Sequence, residues 1–286
     1  MEGALEKRNP VTDWGSASSN WKIWHRKFAE QSIEATKLTI RLGGIHEDTQ
    51  SVLDLASGSG EPSIPIAKVI GPTGRIVATD VIATMVSTAK ENSEHFHLSN
   101  MEFGVLSAGH IPFADQIFDV VTCRFGLTFF PDPGKAMNEV WRVLKPGGRA
   151  VLICWGPVDR NPRFQTTTSI VMKYSRPSPQ ATTQTGKNGG LFQFAEPGTL
   201  LSLMQGAKFQ EIEERWYEIP WIWHGTVEEA WRSFSEMSAP FQKLFRQLNP
   251  DAQDTVSEEI KDAISKYYDG INVNFTATVN TVVASK

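Results

Sequence analysis

Cysteine is scarce in this 286-residue sequence, which has only two, and no long apolar run occurs in it. Two thiols are too few for a disulfide framework, and no neighbouring cluster of histidines completes a four-ligand zinc site. No stretch reaches the roughly 18 apolar residues of a membrane-spanning helix. The charged start, Met1 to Arg8, is unlike a signal peptide. We therefore expect a cytoplasmic protein with reduced, buried thiols and no membrane span.

An excess of positive charge is also absent. Lys and Arg number 28 against 32 Asp and Glu, which gives a net charge of −4. A nucleic-acid partner requires a basic surface that neutralises phosphates, so we expect no such partner. With 40 % hydrophobic residues, the chain can bury a sizeable core. A small molecule is the expected partner, and the sequence leaves the oligomeric state open.

Short apolar strands alternate with helices along the first half of the chain. The predicted strands are 51–56, 76–79, 101–106, 118–123 and 150–155, and the predicted helices are 28–42, 61–70, 82–95 and 133–144. The second half is predicted to contain a helix at 197–206, a strand at 209–223, helices at 226–248 and 254–268, and a strand at 272–284. This order predicts an α/β fold: a doubly wound, Rossmann-like, seven-stranded sheet, mostly parallel with the last strand antiparallel.

Helical segments outside the sheet units are predicted to cover one edge of the sheet. We expect N-terminal lid helices over residues 1–45 and one α/β domain, which contains the sheet, over residues 46–286. Cap insertions are expected at about 156–195 and 224–270. Within the first insertion, residues 175–190 are polar and poor in groups to bury, which predicts a mobile loop.

A glycine turn follows the first strand, in the run Asp54-Leu-Ala-Ser-Gly58-Ser-Gly60. Its two glycines allow a tight turn and let a ligand approach the main chain closely. The helix that follows offers free N–H groups. Asp80 ends the second strand, twenty residues after Gly60, where a carboxylate can accept hydrogen bonds from a ribose. Together these features predict a nucleoside site at the carboxyl ends of the strands, although a plain turn and a helix cap remain the alternative.

The residues around this turn favour one nucleoside over another. A dinucleotide fingerprint requires a third glycine where this chain has Ser63. The negative charge of Asp54 gives a pyrophosphate no advantage, whereas an ammonium group benefits from it. The negative charge of Asp54 therefore favours S-adenosyl-L-methionine over NAD.

Five motifs give the chain a resemblance to a known family. They are Val52-Leu-Asp-Leu-Ala-Ser-Gly-Ser-Gly60, Ile76-Val-Ala-Thr-Asp80, Ile111-Pro-Phe-Ala-Asp-Gln-Ile-Phe-Asp119, Phe125-Gly-Leu127 and Arg142-Val-Leu-Lys-Pro-Gly-Gly148. With these motifs the sequence resembles the class I S-adenosylmethionine-dependent methyltransferases, in the small-molecule group related to the ubiquinone and menaquinone C-methyltransferases. The resemblance covers about residues 50–155 and continues more weakly to Phe209.

The resemblance implies where the cofactor binds. The backbone from Ala56 to Gly60 would hold the methionine part, Asp80 the ribose, and Met85 would lie near the adenine. At the position before Ala108 the family often has an acidic residue, and this chain has Ser107 there. A hydroxyl accepts a hydrogen bond more weakly than a carboxylate does. The full set of expected cofactor-binding residues is Asp54, Ala56, Ser57, Gly58, Ser59, Gly60, Asp80, Val81, Met85, Ser107, Ala108, Arg124 and Phe125.

The substrate side is less marked in the sequence. Seven of the nine tryptophans lie outside the central sheet units, which indicates either packing of the cap or an aromatic pocket for a flat substrate. His25 and His224 lie on segments expected to face the methyl group, so they are the candidate general bases. The expected reaction is methyl transfer to O, N or C of a small, aromatic or apolar metabolite. The alternative is a protein of this fold that binds the cofactor but is regulatory or catalyses a non-methylating, cyclase-like reaction.

Overall fold

A computed structural model describes residues 14–15, 17–175 and 190–286. The first 13 residues of the expected lid lie outside the described residues. So does most of the predicted mobile loop, at positions 176–189.

Seven strands and ten α-helices make up the described chain. The strands are β1 (Ser51–Leu55), β2 (Arg75–Asp80), β3 (Met101–Val105), β4 (Phe118–Arg124), β5 (Leu144–Trp155), β6 (Gln210–His224) and β7 (Asn272–Ser285). The helices are α1 (Ser18–Gln31), α2 (Ile33–Gly43), α3 (Ser63–Ile70), α4 (Ala83–His95), α5 (Pro133–Val143), α6 (Pro162–Tyr174), α7 (Thr199–Gly206), α8 (Val227–Met237), α9 (Ala239–Phe245) and α10 (Pro250–Ser265).

All seven strands form one sheet in the order β3-β2-β1-β4-β5-β7-β6. Strands β1 to β5 pair in parallel, and β7 is antiparallel to both β5 and β6. The predicted doubly wound sheet with an antiparallel last strand is therefore confirmed. The chain winds outward from β1 to β3 and then crosses back to β4. This reversal opens a crevice at the carboxyl ends of β1 and β4, the place where open α/β sheets bind ligands.

Amphipathic helices cover the parallel part of the sheet, as α5 illustrates. Asp132 caps this helix by accepting the backbone N–H of Lys135. Ala136, Met137 and Val140 recur at helical spacing and are fully buried. Burial of each of the two larger side chains stabilises the fold by about 1.5–3 kcal/mol. This buried apolar face thus holds α5 against the sheet, and the position of α5 determines where β5 begins.

The helical segments differ from the sequence-based expectation. The helix predicted at 28–42 is two helices, α1 and α2, separated at Ser32. The helix predicted at 226–248 is divided at Ser238, whose extended backbone leads into Pro240 in the first turn of α9. Proline has no N–H to continue the preceding helix and restricts the residues before it, which explains this break. Helix α6 was not predicted as an element, although its buried face is periodic.

Helices α1 and α8 are joined by hydrogen bonds over the crevice. Trp24 Nε1 of α1 donates to Glu236 Oε2 of α8 at 2.7 Å, and Trp21 Nε1 donates to the Met237 carbonyl at 3.1 Å. Asn20 Nδ2 donates to the Glu236 carbonyl at 2.9 Å. Together α1 and α8 roof the carboxyl ends of the strands.

Across the described residues, no helix combines the length and the apolar character that crossing a membrane would require.

Candidate functional site

A cavity of about 540 Å³ lies at the carboxyl ends of β1, β2, β4 and β5, beneath the roof of α1 and α8. The strand ends contribute its floor, and helices α1, α6 and α8 contribute its walls. The lining residues are Trp14, Trp21, Phe28, Leu55, Ala56, Ser57, Gly58, Ser59, Glu61, Thr79, Asp80, Val81, Ile82, Met85, Leu106, Ser107, Arg124, Phe125, Gly126, Phe129, Phe130, Pro131, Trp155, Arg163, Phe164, Leu191, Met237 and Ser238. Ten of the thirteen residues expected to bind the cofactor, Phe125 among them, are in this set.

The turn after β1 bends the main chain sharply at the cavity floor. Ala56, Gly58 and Gly60 all have positive φ angles, of 55°, 54° and 108°. A Cβ on Gly58 would meet no atom within 4 Å, so the backbone there faces open space. A Cβ on Gly60 would lie 2.8 Å from Ile64 Cδ1. The first glycine therefore leaves room for a ligand, and the second lets α3 pack closely behind the turn.

Asp80 lies beside the same turn at the end of β2. Its Oδ2 accepts the Gly58 N–H at 3.0 Å, and its Oδ1 accepts the Ile82 N–H at 2.9 Å. Burial raises the pKa of this carboxyl above its usual range, and the backbone hydrogen bonds oppose that rise. Each carboxylate oxygen keeps lone pairs for a further donor, so the group can accept two ligand hydroxyls.

Polar groups without protein partners lie next to the turn. Ser57 Oγ and Arg124 Nε are buried and have no hydrogen-bond partner among the described residues. Arg124 Nη1 donates to Ser32 Oγ at 3.0 Å and to Thr36 Oγ1 at 2.9 Å. Ser57 and Arg124 line the same cavity as Asp80, and their unpaired groups suit a ligand with charged and polar atoms.

Glu61 is a cavity residue that the sequence analysis missed. Its Oε2 accepts Thr36 Oγ1 at 3.2 Å. Burial raises the pKa of Glu61, and the positive charge of Arg124 opposes the rise. The sequence feature that could have identified Glu61 is its position directly after Gly60. A carboxylate and a guanidinium at one end of the cavity can bind the ammonium and the carboxylate of an amino acid.

Three of the expected cofactor residues do not line the cavity. Asp54 is completely buried below the floor, where it accepts Ser63 Oγ at 2.5 Å and Thr122 Oγ1 at 2.7 Å. Burial raises its pKa to about 6. Gly60 lies behind the turn, and Ala108 is buried next to Ser107. Asp54 is therefore in a position to act on a ligand only through the residues it supports.

Val81, Met85 and Ser107 also line the cavity, and the resemblance expects the adenine near Met85 and Ser107. Met85 is nearly fully buried, and its thioether offers a polarisable surface to a flat ring. Ser107 Oγ accepts the Gly109 N–H at 3.4 Å, so its hydroxyl retains a free hydrogen for a ligand acceptor.

Neither candidate general base reaches the cavity. His25 lies on α1, with its Nδ1 2.9 Å from the Lys22 carbonyl oxygen. His224 is exposed at the end of β6, with its Nδ1 2.9 Å from Asn272 Oδ1. Among the described residues, no histidine lines the cavity.

Aromatic side chains surround the other end of the cavity. Phe125 stacks on Trp155 with a centroid distance of 4.2 Å and an interplanar angle of 12°. Phe164 meets Trp155 edge to face at 4.8 Å, and Trp21 meets Phe28 in the same way at 4.8 Å. Of the tryptophans outside the central sheet units, Trp14 and Trp21 line this pocket, while the others do not; with Trp155 of β5 they suit a flat, apolar molecule.

Comparison with known proteins places these features in a family. The model of the ubiE/COQ5 methyltransferase family matches residues 21–173, just over half of the chain. A protein of Haemophilus ducreyi, named a ubiquinone/menaquinone biosynthesis C-methyltransferase, is 36 % identical over 118 residues, which are 41 % of this chain and 45 % of that protein. A Klebsiella pneumoniae protein of the same name is 29 % identical over 62 % of this chain and 72 % of its own. The chain thus spans less than half of the first relative's length.

A solved structure shows the same fold. The Haemonchus contortus phosphoethanolamine N-methyltransferase 2, in complex with S-adenosylhomocysteine, is 16 % identical with a TM-score of 0.56. The superposition covers 98 % of this chain and 58 % of that one. The family model matches more than half of the chain and bears out the resemblance seen in the sequence motifs: the chain belongs to the ubiE/COQ5 methyltransferase family.

Proposed function

We propose that this chain transfers the methyl group of S-adenosyl-L-methionine to a small, flat, largely apolar acceptor. One observation carries the proposal: a single cavity has a polar part, around Asp80 and Glu61, and a part walled by aromatic rings, and Arg124, 5.7 Å from the Phe125 ring centroid, lies between the two. The cofactor supplies an electrophilic methyl group on a sulfonium centre. The protein's part is to hold both molecules in line and to exclude water.

The polar end fits the cofactor group by group. Asp80 would accept the two ribose hydroxyls, since its oxygens retain free lone pairs beside their backbone donors. Glu61 would bind the ammonium of the methionine part, and Arg124 with Ser57 its carboxylate. Met85 and Ser107 would contact the adenine. Asp54 would act as a positioning residue, because its hydrogen bond to Ser63 holds the start of α3 against the end of β1.

Support for an aromatic acceptor comes from the other end. The stacked pair Phe125 and Trp155 offers ring edges and faces to a flat molecule. The two bacterial relatives are named C-methyltransferases, which supports an electron-rich ring carbon as the methyl acceptor. Attack by an electron-rich ring carbon breaks the bond between sulfur and the methyl group, and the proton on that carbon is lost afterwards to water, so the attack itself needs no general base. The proposal therefore assigns no catalytic role to His25 or His224.

The proposal also includes the protein's setting. Cys123 and Cys154 are free and buried, which supports a reducing, cytoplasmic location. The net charge of −4 and the apolar cavity support a small molecule rather than a nucleic acid as the partner.

Transfer of a labelled methyl group tests this function directly. The full chain is incubated with S-(trideuteromethyl)-adenosylmethionine and a panel of phenols, quinols and aromatic acids, and the products are analysed by mass spectrometry. We expect a deuterated methyl group on at least one aromatic acceptor, together with S-adenosylhomocysteine. Conversion of an acceptor without incorporation of the label would instead favour the non-methylating alternative.

A further inference from the structure

Arg163 contributes a positive charge to the cavity wall that no described residue neutralises. It lies on α6, lines the cavity, and takes part in no ion pair among the described residues. Its guanidinium lies over the rings of Phe164 at 5.0 Å and Phe234 at 4.7 Å. Ring faces attract a cation but do not replace the hydrogen bonds that it loses on leaving water.

Only part of this guanidinium is hydrogen-bonded. Nη1 donates to Gln31 Oε1 at 3.2 Å. Nε is buried without a partner, and within the described chain no acceptor contacts Nη2. Nε and Nη2 form one edge of the planar group, the edge with which arginine binds a carboxylate through two parallel hydrogen bonds.

The surroundings of Arg163 make the electrostatic potential at its guanidinium more positive. It lies in the first turn of α6, which contains no acidic residue, and a cation there meets the positive end of the helix dipole. Burial lowers the pKa of Arg163, with no nearby carboxylate to oppose the effect.

The second cavity arginine differs in this respect. Arg124 lies near Glu61 and Asp54, whose negative charges favour its protonated form. The charge of Arg124 is therefore balanced by carboxylates of the described chain, and that of Arg163 is not.

We propose that Arg163 binds an anionic oxygen of the methyl acceptor, and that the acceptor is an aromatic carboxylate. The ring would lie among Phe125, Trp155 and Phe164, and the carboxylate would pair with the Nε–Nη2 edge. This inference rests on the methyl-transfer function proposed above and names the substrate class for the same cavity. Arg163 is then a specificity residue, since a buried, unpaired cation disfavours neutral molecules of the same shape.

Two matched probes test the charge requirement. 2-Naphthoate and 2-naphthamide have the same ring system and differ in charge, and each is titrated calorimetrically into the full chain saturated with S-adenosylhomocysteine. We expect naphthoate to bind at least 10-fold more tightly than naphthamide. In Arg163→Gln the naphthoate affinity should fall about 10- to 150-fold, the range for a hydrogen bond to a charged group, while naphthamide changes little. Arg163→Lys should keep part of the preference, because it keeps the charge and loses the paired donors.

Arg160→Gln is the matched control. Arg160 lies three residues earlier, is exposed, and also lies over an aromatic ring, that of Trp216 at 4.9 Å, but it does not line the cavity. The preference for naphthoate should be unchanged in this variant. Equal affinities of the two probes for the unaltered chain, no binding of naphthoate, or a preference that survives Arg163→Gln would each overturn the proposal. The first two outcomes need no variant, so they hold even if Arg163→Gln fails to fold. Binding of S-adenosylhomocysteine, measured beforehand, separates these outcomes from a failure of the methyl-transfer function itself.

Discussion

Replacement of Asp80 by alanine should weaken cofactor binding by a predictable amount. The carboxylate already accepts two backbone N–H groups, at 3.0 and 2.9 Å, and these hold it beside the glycine turn. Hydrogen bonds from the ribose hydroxyls to this charged acceptor should contribute about 1.5–3 kcal/mol to the binding free energy. The dissociation constant for S-adenosylhomocysteine should therefore rise about 10- to 150-fold.

Calorimetric titration of three variants distinguishes this role from a general loss of structure. Asp80→Asn should fall between the unaltered chain and Asp80→Ala, because the amide keeps one acceptor oxygen but loses the charge. Asp48→Asn serves as the control, since that side chain is 87 % exposed and lies near His46. Circular dichroism confirms that each variant is folded. If folded Asp80→Ala bound the product with unchanged affinity, the assignment of Asp80 to the ribose would be wrong.

Three further predictions concern the interior, the turn and the candidate bases. Since burial raises the pKa of Asp54 to about 6, the contribution of this group to stability is present below about pH 4 and declines as the pH rises towards 6. The free energy of unfolding of Asp54→Asn, measured in urea, should therefore gain up to about 3 kcal/mol relative to that of the unaltered chain between pH 4 and pH 7. Parallel pH profiles of the two proteins would contradict this. Gly60→Ala should lower the free energy of unfolding by about 1–3 kcal/mol and weaken product binding, because the φ of Gly60 is +108° and the added Cβ would crowd Ile64. Gly206→Ala is the control: its added Cβ would meet no atom within 4 Å, so neither stability nor binding should change. His25→Ala and His224→Ala should each retain turnover within about threefold, since general-base loss costs about 10²–10⁴-fold; a drop of that size would restore the histidine as a base.

The cofactor end of the site could be predicted because its signals are local. Gly58 and Gly60 mark a turn through backbone conformations that other residues adopt only with strain, and the structure gives both a positive φ. Asp80 could be placed beside them because the carboxyl ends of adjacent parallel strands meet at one edge of a sheet. Neither inference required knowledge of how distant segments pack.

Local sequence signals could not predict whether Glu61, Arg163 and the two histidines line the cavity. The spacing of Glu61 after Gly60 was visible, but its proximity to Arg124 depends on how α2 packs against β4. His25 shares α1 with Trp21, which does line the cavity; the rotation of the helix decided between them. The aromatic content of the N-terminal segment is visible in the sequence, whereas the face that the helix turns inward depends on its partner.

The sequence by itself therefore determined the sheet, the glycine turn and the acid at the end of β2, because periodicity and backbone preference act over a few residues. Only the tertiary structure decided the composition of the acceptor pocket. Arg163 and Gln31 lie 132 positions apart, and Trp24 and Glu236 lie 212 apart. Such contacts form only when the lid and cap helices pack over the sheet, and many arrangements of those helices would satisfy the same amphipathic pattern.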